Sequence, residues 1–390
     1  MDYDMVNRTL CEYARNNYSY FEMSSMLQKD FNITLSRNAI CKRLKRCGIA
    51  SRKGPTMHSE IEIKSKIQDA LPRMPTTIGY RFMTDYLRRE GMHVRRDTVM
   101  KIMRETDKEG VDARRRRRIK RKVYMSMGPN HVWHMDGYDK LKPYGFPIHG
   151  CIDGFSRRIL WLAVAYTNND PRVVAQNFLT CVKKLKGCPL VVQADPGTEN
   201  THIGAIQCTL RHEATDCFQG ISSFRVVKST LNQRIEAWWS TFRRQRSDWW
   251  IQFFKDLAAM DLFRKNNDFD LYSIRFCFMP LLQRELDDLV VQWNSHYIAQ
   301  SRQATCPGGR PDILFQLPNL QGATNCLQYL TQEDADFLDA MAFPVTCRSG
   351  SDMFDSFASS IFERHQWGDA SNPDDALLQY TTLKQFENMH

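Results

Sequence analysis

The hydrophobic period of this chain changes near residue 130, and that change narrows the folds open to it. Before it, apolar residues recur every three or four positions; after it they alternate or run in short blocks. Residues 1–50 read as three helices, in MVNRTLCEYA, YFEMSSMLQKDF and ITLSRNAICKRLKRCGIA, the last with Ser36 as N-cap and Gly48 as its stop. Its apolar stripe is Ile40, Leu44 and Cys47, which turns Lys42, Arg43, Lys45 and Arg46 outward. A small bundle with a solvated basic face would show the same stripe. Cap, helix and charge together favour a helix-turn-helix over 1–55, with SRNAICKRLKR, including Arg37, as the recognition helix. SRKGPT then reads as a linker, and residues 56–125 as a second helical region, in EIEIKSKIQDAL, YRFMTDYLRREG and VRRDTVMKIMRE, ending in a basic linker.

Charge divides the chain in the same place. Residues 1–125 hold 29 Lys and Arg against 15 Asp and Glu, whereas the remainder is slightly acidic. One-sided placement of this kind points to a polyanion, and nucleic acid is the simplest one. The run Arg114, Arg115, Arg116, Arg117 and Arg118, continued by Lys120, Arg121 and Lys122, is of the type that binds phosphates or an import receptor, so DNA is the expected partner and the nucleus the expected location. No run of 18 apolar residues exists and the N-terminus lacks the apolar core of a signal peptide, so no membrane partner is expected and the chain is expected inside the cell. The 12 cysteines form no C-x-x-C pair and read as reduced thiols.

Beyond 130, HVWHMDGY, FPIHGCID and RRILWLAVAY read as three successive strands joined by short turns. DPRVVAQNFLTCVKKLK is a helix with Asp170 as N-cap and Pro171 at its first position. PLVVQAD is a buried strand, TENTHIGAIQCTLRHE a helix capped at Thr198, SFRVVKS a fifth strand, and NQRIEAWWSTFRRQRSDWWIQFFKDLAAM one long helix. The order βββαβαβα gives an α/β fold, a mixed five-stranded sheet with flanking helices over 126–260, preceded by all-α domains. Residues 261–390 read as a helical extension: a helix in FCFMPLLQRELDDLVVQWNSHYI, a Pro/Gly-rich loop in ATCPGGRPDILFQLP, and a Ser- and Asp-rich tail over 331–390 expected to be partly disordered.

Three acids stand where such a fold places chemistry. Asp136 lies on the first strand, sharing a face with His134 and Tyr138, while Asp139, three residues on, faces away. Asp195 ends the strand PLVVQAD, with Gly197 easing the turn that follows; Glu236 opens the long helix. Acids on a strand, a strand end and a helix can hold a pair of hard cations, two Mg²⁺ or Mn²⁺, with the first Asp bridging both ions. Each acid taken alone would more often be a cap or a salt-bridge partner; the trio reverses those odds. His131 and His134 lack a second ligand pair at zinc spacing and read as core or supporting residues. Arg243 and Arg244 follow Glu236 at i+7 and i+8 and are candidate contacts to the DNA backbone.

WHMDG, IDGFSRR, QADPGTEN and NQRIEAWW, in that order, resemble the integrase core (DDE) superfamily of retroviral integrases and cut-and-paste transposases, over about 126–260. GYRFMTDYLRREG resembles, more loosely, the N-terminal part of bacterial insertion-sequence transposases. The resemblance implies a ribonuclease H-like fold, DNA strand transfer, divalent-metal dependence, assembly as a homo-oligomer on DNA ends, and Asp136, Asp195 and Glu236 as catalytic acids. The chain departs from retroviral enzymes in a longer spacing of 40 residues between Asp195 and Glu236, placing an extra loop near 214–222, and in lacking their zinc-binding N-terminal domain and a basic β-barrel after the core. The alternative to an active integrase or transposase is a domesticated, catalytically silent DNA-binding or scaffold protein that kept the fold.

Overall fold

Short polar caps and apolar stripes build the first helices of the computed structural model. It describes residues 3–16, 18–49, 58–74, 78–92, 94–106, 124–300, 305–341, 343 and 347–387. The basic run Arg114–Arg118 lies outside them. Two compact units are present: residues 1–126, 242–246 and 291–324 in one, and 127–241, 247–290 and 325–390 in the other.

In the first unit, α1 (Tyr3–Arg15), α2 (Tyr20–Phe31) and α3 (Arg37–Arg46) enclose Val6, Leu10, Met23, Leu27, Ile40 and Leu44. Ser19 closes a capping box with Glu22, and Ser36 accepts from the Ala39 N–H, so both helices start where local chemistry dictates. Two details of α3 differ from the stripe read in the sequence. Cys47 is exposed rather than buried. Arg43 is half-buried and donates to Asn7 Oδ1 at 3.1 Å instead of pointing outward, which leaves Arg37, Lys42, Lys45 and Arg46 as the exposed cations. A second helical set follows in α4 (Glu60–Ala70), α5 (Tyr80–Arg89) and α6 (Arg96–Thr106), buried through Ile63, Ile67, Phe82, Met83, Leu87, Val99 and Ile102. The loop expected around ATCPGGRPDILFQLP holds a short helix, Pro311–Gln316, whose Ile313 joins the α1–α3 core.

The second unit is built on a five-stranded sheet in the order β3-β2-β1-β5-β6. Its strands are β1 (Val132–Tyr138), β2 (Ile148–Asp153), β3 (Ile159–Val164), β5 (Val191–Ala194) and β6 (Phe224–Val226); β4 (Gly187–Cys188) pairs elsewhere with β7 (Gln328–Tyr329). β1 to β3 form an antiparallel meander, while β1, β5 and β6 run parallel, so the sheet is mixed and β1 is central. Period 2 splits β1 between two layers. Trp133 and Met135 enter an apolar core with α7 (Pro171–Leu185), through Val174, Phe178 and Val182, and with Ile203 and Ile206 of α8 (Thr201–Leu210). His134, Asp136 and Tyr138 take the opposite face. This is the ribonuclease H-like arrangement.

Three expectations are corrected here. TENTHIGAIQCTLRHE begins as a 3-10 turn, Thr198–Asn200, and α8 starts at Thr201 with no side-chain cap. The long helix after residue 232 is divided into α9 (Gln233–Phe242), a π-helical segment Arg243–Ser247 and α10 (Asp248–Ala259). The C-terminal segment is not sparsely structured: after α11 (Asp268–Ser295) and α12 (Pro311–Gln316) come α13 (Gln332–Ala340), α14 (Asp352–His365) and α15 (Pro373–Lys384). Its caps are strong, Ser351 accepting from the Phe354 N–H and Asn372 from the Asp375 N–H. Phe354, Ala358, Ile361, Tyr380 and Leu383 are buried, and the fully buried Asp270 is held by Arg264 at 2.9 Å and Lys384 at 3.1 Å. Tyr380 packs edge-on against Phe278 and donates its hydroxyl to the Leu262 carbonyl at 2.7 Å. Tyr380→Ala should therefore lower stability by about 3–5 kcal/mol in denaturant titration; a loss under about 1 kcal/mol would mean that the C-terminal helices are dispensable to the unit.

Candidate active site

The register of two parallel strands places two of the acids. β1 and β5 pair parallel, and the last rung is His134 with Gln193. Asp136 and Asp195 each stand two residues beyond that rung, so period 2 returns both to the face of His134 and Gln193. Their neighbours on that face do meet: Gln193 Nε2 lies 3.3 Å from His134 Nδ1.

The third acid arrives on α9, whose start is fastened to β1. Asn232, fully buried, donates Nδ2–H to the Met135 carbonyl at 2.9 Å. That leaves its Oδ1 to accept from His134 Nδ1, 2.8 Å away. The Asn232 carbonyl in turn accepts from the Glu236 N–H. One turn past Glu236, Trp239 donates Nε1–H to Asp136 Oδ2 at 3.0 Å, and the other Asp136 oxygen accepts from the Gly137 N–H at 2.9 Å. Gly150, the cross-strand partner of Asp136, makes room for this: a β-carbon there would meet the Trp239 ring at 2.9 Å. Asp195 is backed by Asn200, whose Nδ2 lies 3.4 Å from Asp195 Oδ1 and 3.1 Å from Glu199 Oε1.

The electrostatics show the acids acting on one another. The Asp136 carboxyl is pushed up from 3.8 to about 7, first by burial and then by the negative charges of Asp195 and Glu236, against the pull of the Trp239 and Gly137 N–H groups. Glu236 is raised by burial and by Asp195. His134 is lowered to about 4, chiefly by burial, and so is neutral at pH 7. Among the described residues, no three or more His, Cys, Asp and Glu side chains are gathered closely enough to hold one metal ion.

Other acids are committed elsewhere. Asp153 is fully buried and accepts from the Asn130 N–H and from both the N–H and hydroxyl of Ser156, closing the turn between β2 and β3. Asp139 accepts from Asn168 at 2.7 Å. The loop expected near 214–222 is present and compact, tied by an Arg211–Asp216 ion pair and a 3-10 turn at Gly220–Ser223. Arg243 and Arg244 are exposed and open the π-helical segment, so the α-helical register counted from Glu236 ends at Phe242, before it reaches them. Sequence reasoning missed Asn232, Gln193, Trp239 and Asn200. Asn232, directly before the helical pattern, carried an N-terminal signal, but nothing local told of its partners on β1.

Residues 123–310 match a family model described as an integrase core domain. A search of curated proteins finds no match.

In metal-free buffer, the raised Asp136 carboxyl favours the folded state while it is protonated. That contribution is complete below about pH 3.8 and is lost as pH rises through about 7. Asp136→Asn, uncharged throughout, should flatten this dependence and be more stable than the parent at pH 8 by about 1–2 kcal/mol, allowing for screening of a partly open group. Urea titrations at pH 5 and pH 8 test it; a parent and variant with the same pH dependence would contradict it.

Proposed function

We propose that this chain, whose residues 123–310 match the integrase core domain, is a DNA integrase or transposase that cuts and joins DNA strands by direct transesterification at Asp136, Asp195 and Glu236. The observation that supports this is geometric: Asp136 and Asp195 each stand two residues past the His134–Gln193 rung, and Asn232 fastens the start of the helix that carries Glu236 to β1 beside them. In the joining step a DNA 3′-hydroxyl attacks a phosphorus of the target strand. One P–O bond forms, the P–O3′ bond of the target breaks, and a new 3′-hydroxyl is released, with no covalent enzyme intermediate. In 3′-end processing water takes the place of the attacking hydroxyl.

The donor set fits a pair of divalent cations. All three groups are hard oxygen ligands, and their crowding of negative charge is the repulsion that cations would relieve. Asp136 and Asp195 would hold one cation, and Asp136 and Glu236 the other. Mg²⁺ or Mn²⁺, when bound, supplies activation of the attacking oxygen and charge stabilisation of the leaving one. The chain's own part is to fix where the carboxylates stand and to exclude competing acids, as the engagement of Asp153 and Asp139 does. DNA would be held through phosphates by the exposed Arg37, Lys42, Lys45 and Arg46, by Arg243 and Arg244, and by the run Arg114–Arg118, with Arg43 set back against Asn7. In this reading the three-helix unit α1–α3 serves as a helix-turn-helix, and the protein works in the nucleus as a homo-oligomer on DNA ends.

A strand-transfer assay with a short labelled duplex in Mg²⁺ or Mn²⁺ separates this from the silent scaffold. The parent should give joined products, and Asp136→Asn should reduce them at least about a hundredfold, while both bind duplex DNA equally and with the same salt dependence. A parent that binds DNA but joins nothing in either metal would establish the scaffold reading; activity retained in Asp136→Asn would remove Asp136 from the site.

A further inference from the structure

We infer that Asn232 is a positioning residue that sets the separation of Glu236 from Asp136, and that the affinity of this site for divalent cations depends on it; the cation clause rests on the function proposed above. Asn232 touches none of the three acids through its side chain. Its amide spans from the Met135 carbonyl, next in chain to Asp136, to the His134 ring. Its own carbonyl begins the helix that presents Glu236.

The neighbouring contacts extend the same clamp. Gln193 Nε2 donates to the Leu231 carbonyl at 3.1 Å, tying the residue before Asn232 to the strand that leads into Asp195. Trp239 closes the far side by its bond to Asp136. The three acids come from segments remote in sequence, and two side chains join those segments: Asn232 bonds Met135 and His134 of β1, and Gln193 of β5 bonds the Leu231 carbonyl ahead of α9.

Removing the Asn232 amide leaves the Met135 carbonyl without its buried donor and cuts the direct tie between β1 and the start of α9, which loosens the placement of Glu236. A supporting side chain of this kind commonly changes metal affinity tenfold or more without touching the ion. A solely structural role would lower stability and leave affinity alone. Phe178→Leu supplies that comparison, because Phe178 packs on the opposite face of the sheet, in the core of Trp133 and Val182.

The test is a Mn²⁺ titration of the full chain by isothermal calorimetry, well below the unfolding temperature, with the crystal structure of Asn232→Ala. Asn232→Ala should weaken Mn²⁺ binding at least about tenfold, Phe178→Leu should leave it within about twofold, and the structure should show Glu236 displaced from Asp136. Equal Mn²⁺ affinity in Asn232→Ala and parent would overturn the inference. A parent that binds no Mn²⁺ would instead overturn the metal-dependent function. The crystal structure would then decide the positioning role alone: a displaced Glu236 supports it, an unmoved one refutes it.

Discussion

The site depends on one rung of one sheet, His134 of β1 opposite Gln193 of β5. Parallel pairing up to that rung brings two strand ends side by side, and two further residues on each put Asp136 and Asp195 on one face. The rung then does a second service. The His134 ring, neutral and fully buried, and the Gln193 amide receive the segment Leu231–Asn232, so the helix carrying Glu236 starts where the other two acids already are. Slipping either strand by one residue would send its acid into the core of Phe178 and Val182, where a carboxylate has no partner.

Bringing like charges together in a partly buried place is unfavourable, and the fold offsets this with specific contacts. The Trp239 and Gly137 N–H groups each serve one oxygen of Asp136, yet they do not cancel burial and the neighbouring charges, so the carboxyl stays well above its ordinary range. Under the function proposed above, this is the condition that bound cations would relieve. The contrast with Asp153 is instructive. It too is raised by burial, but its oxygens are taken by the Asn130 N–H ahead of β1 and by Ser156 in its own turn, which makes it a structural acid.

The parts readable from the sequence are those with local causes. The strand period placed Asp136 with His134 and Tyr138, the apolar block PLVVQAD placed Asp195 at a strand end, and Ser36 and Asp170 announced their helices. What escaped is set by distant partners. Asn232 acts on Met135, 97 positions away, and no local pattern encodes that. The π-helical interruption at Arg243–Ser247 carries no proline or glycine to mark it. The C-terminal helices were hidden by Ser- and Asp-rich composition, although Asn372 before Pro373 was a start signal and Ala376, Tyr380 and Leu383 recur at helical spacing.

The most direct test of the central claim is anomalous diffraction from crystals of the full chain soaked in Mn²⁺. Two peaks roughly 4 Å apart are predicted, one between Asp136 and Asp195 and one between Asp136 and Glu236. No Mn²⁺ peak among these three carboxylates, or Mn²⁺ bound only at other acids, would contradict it.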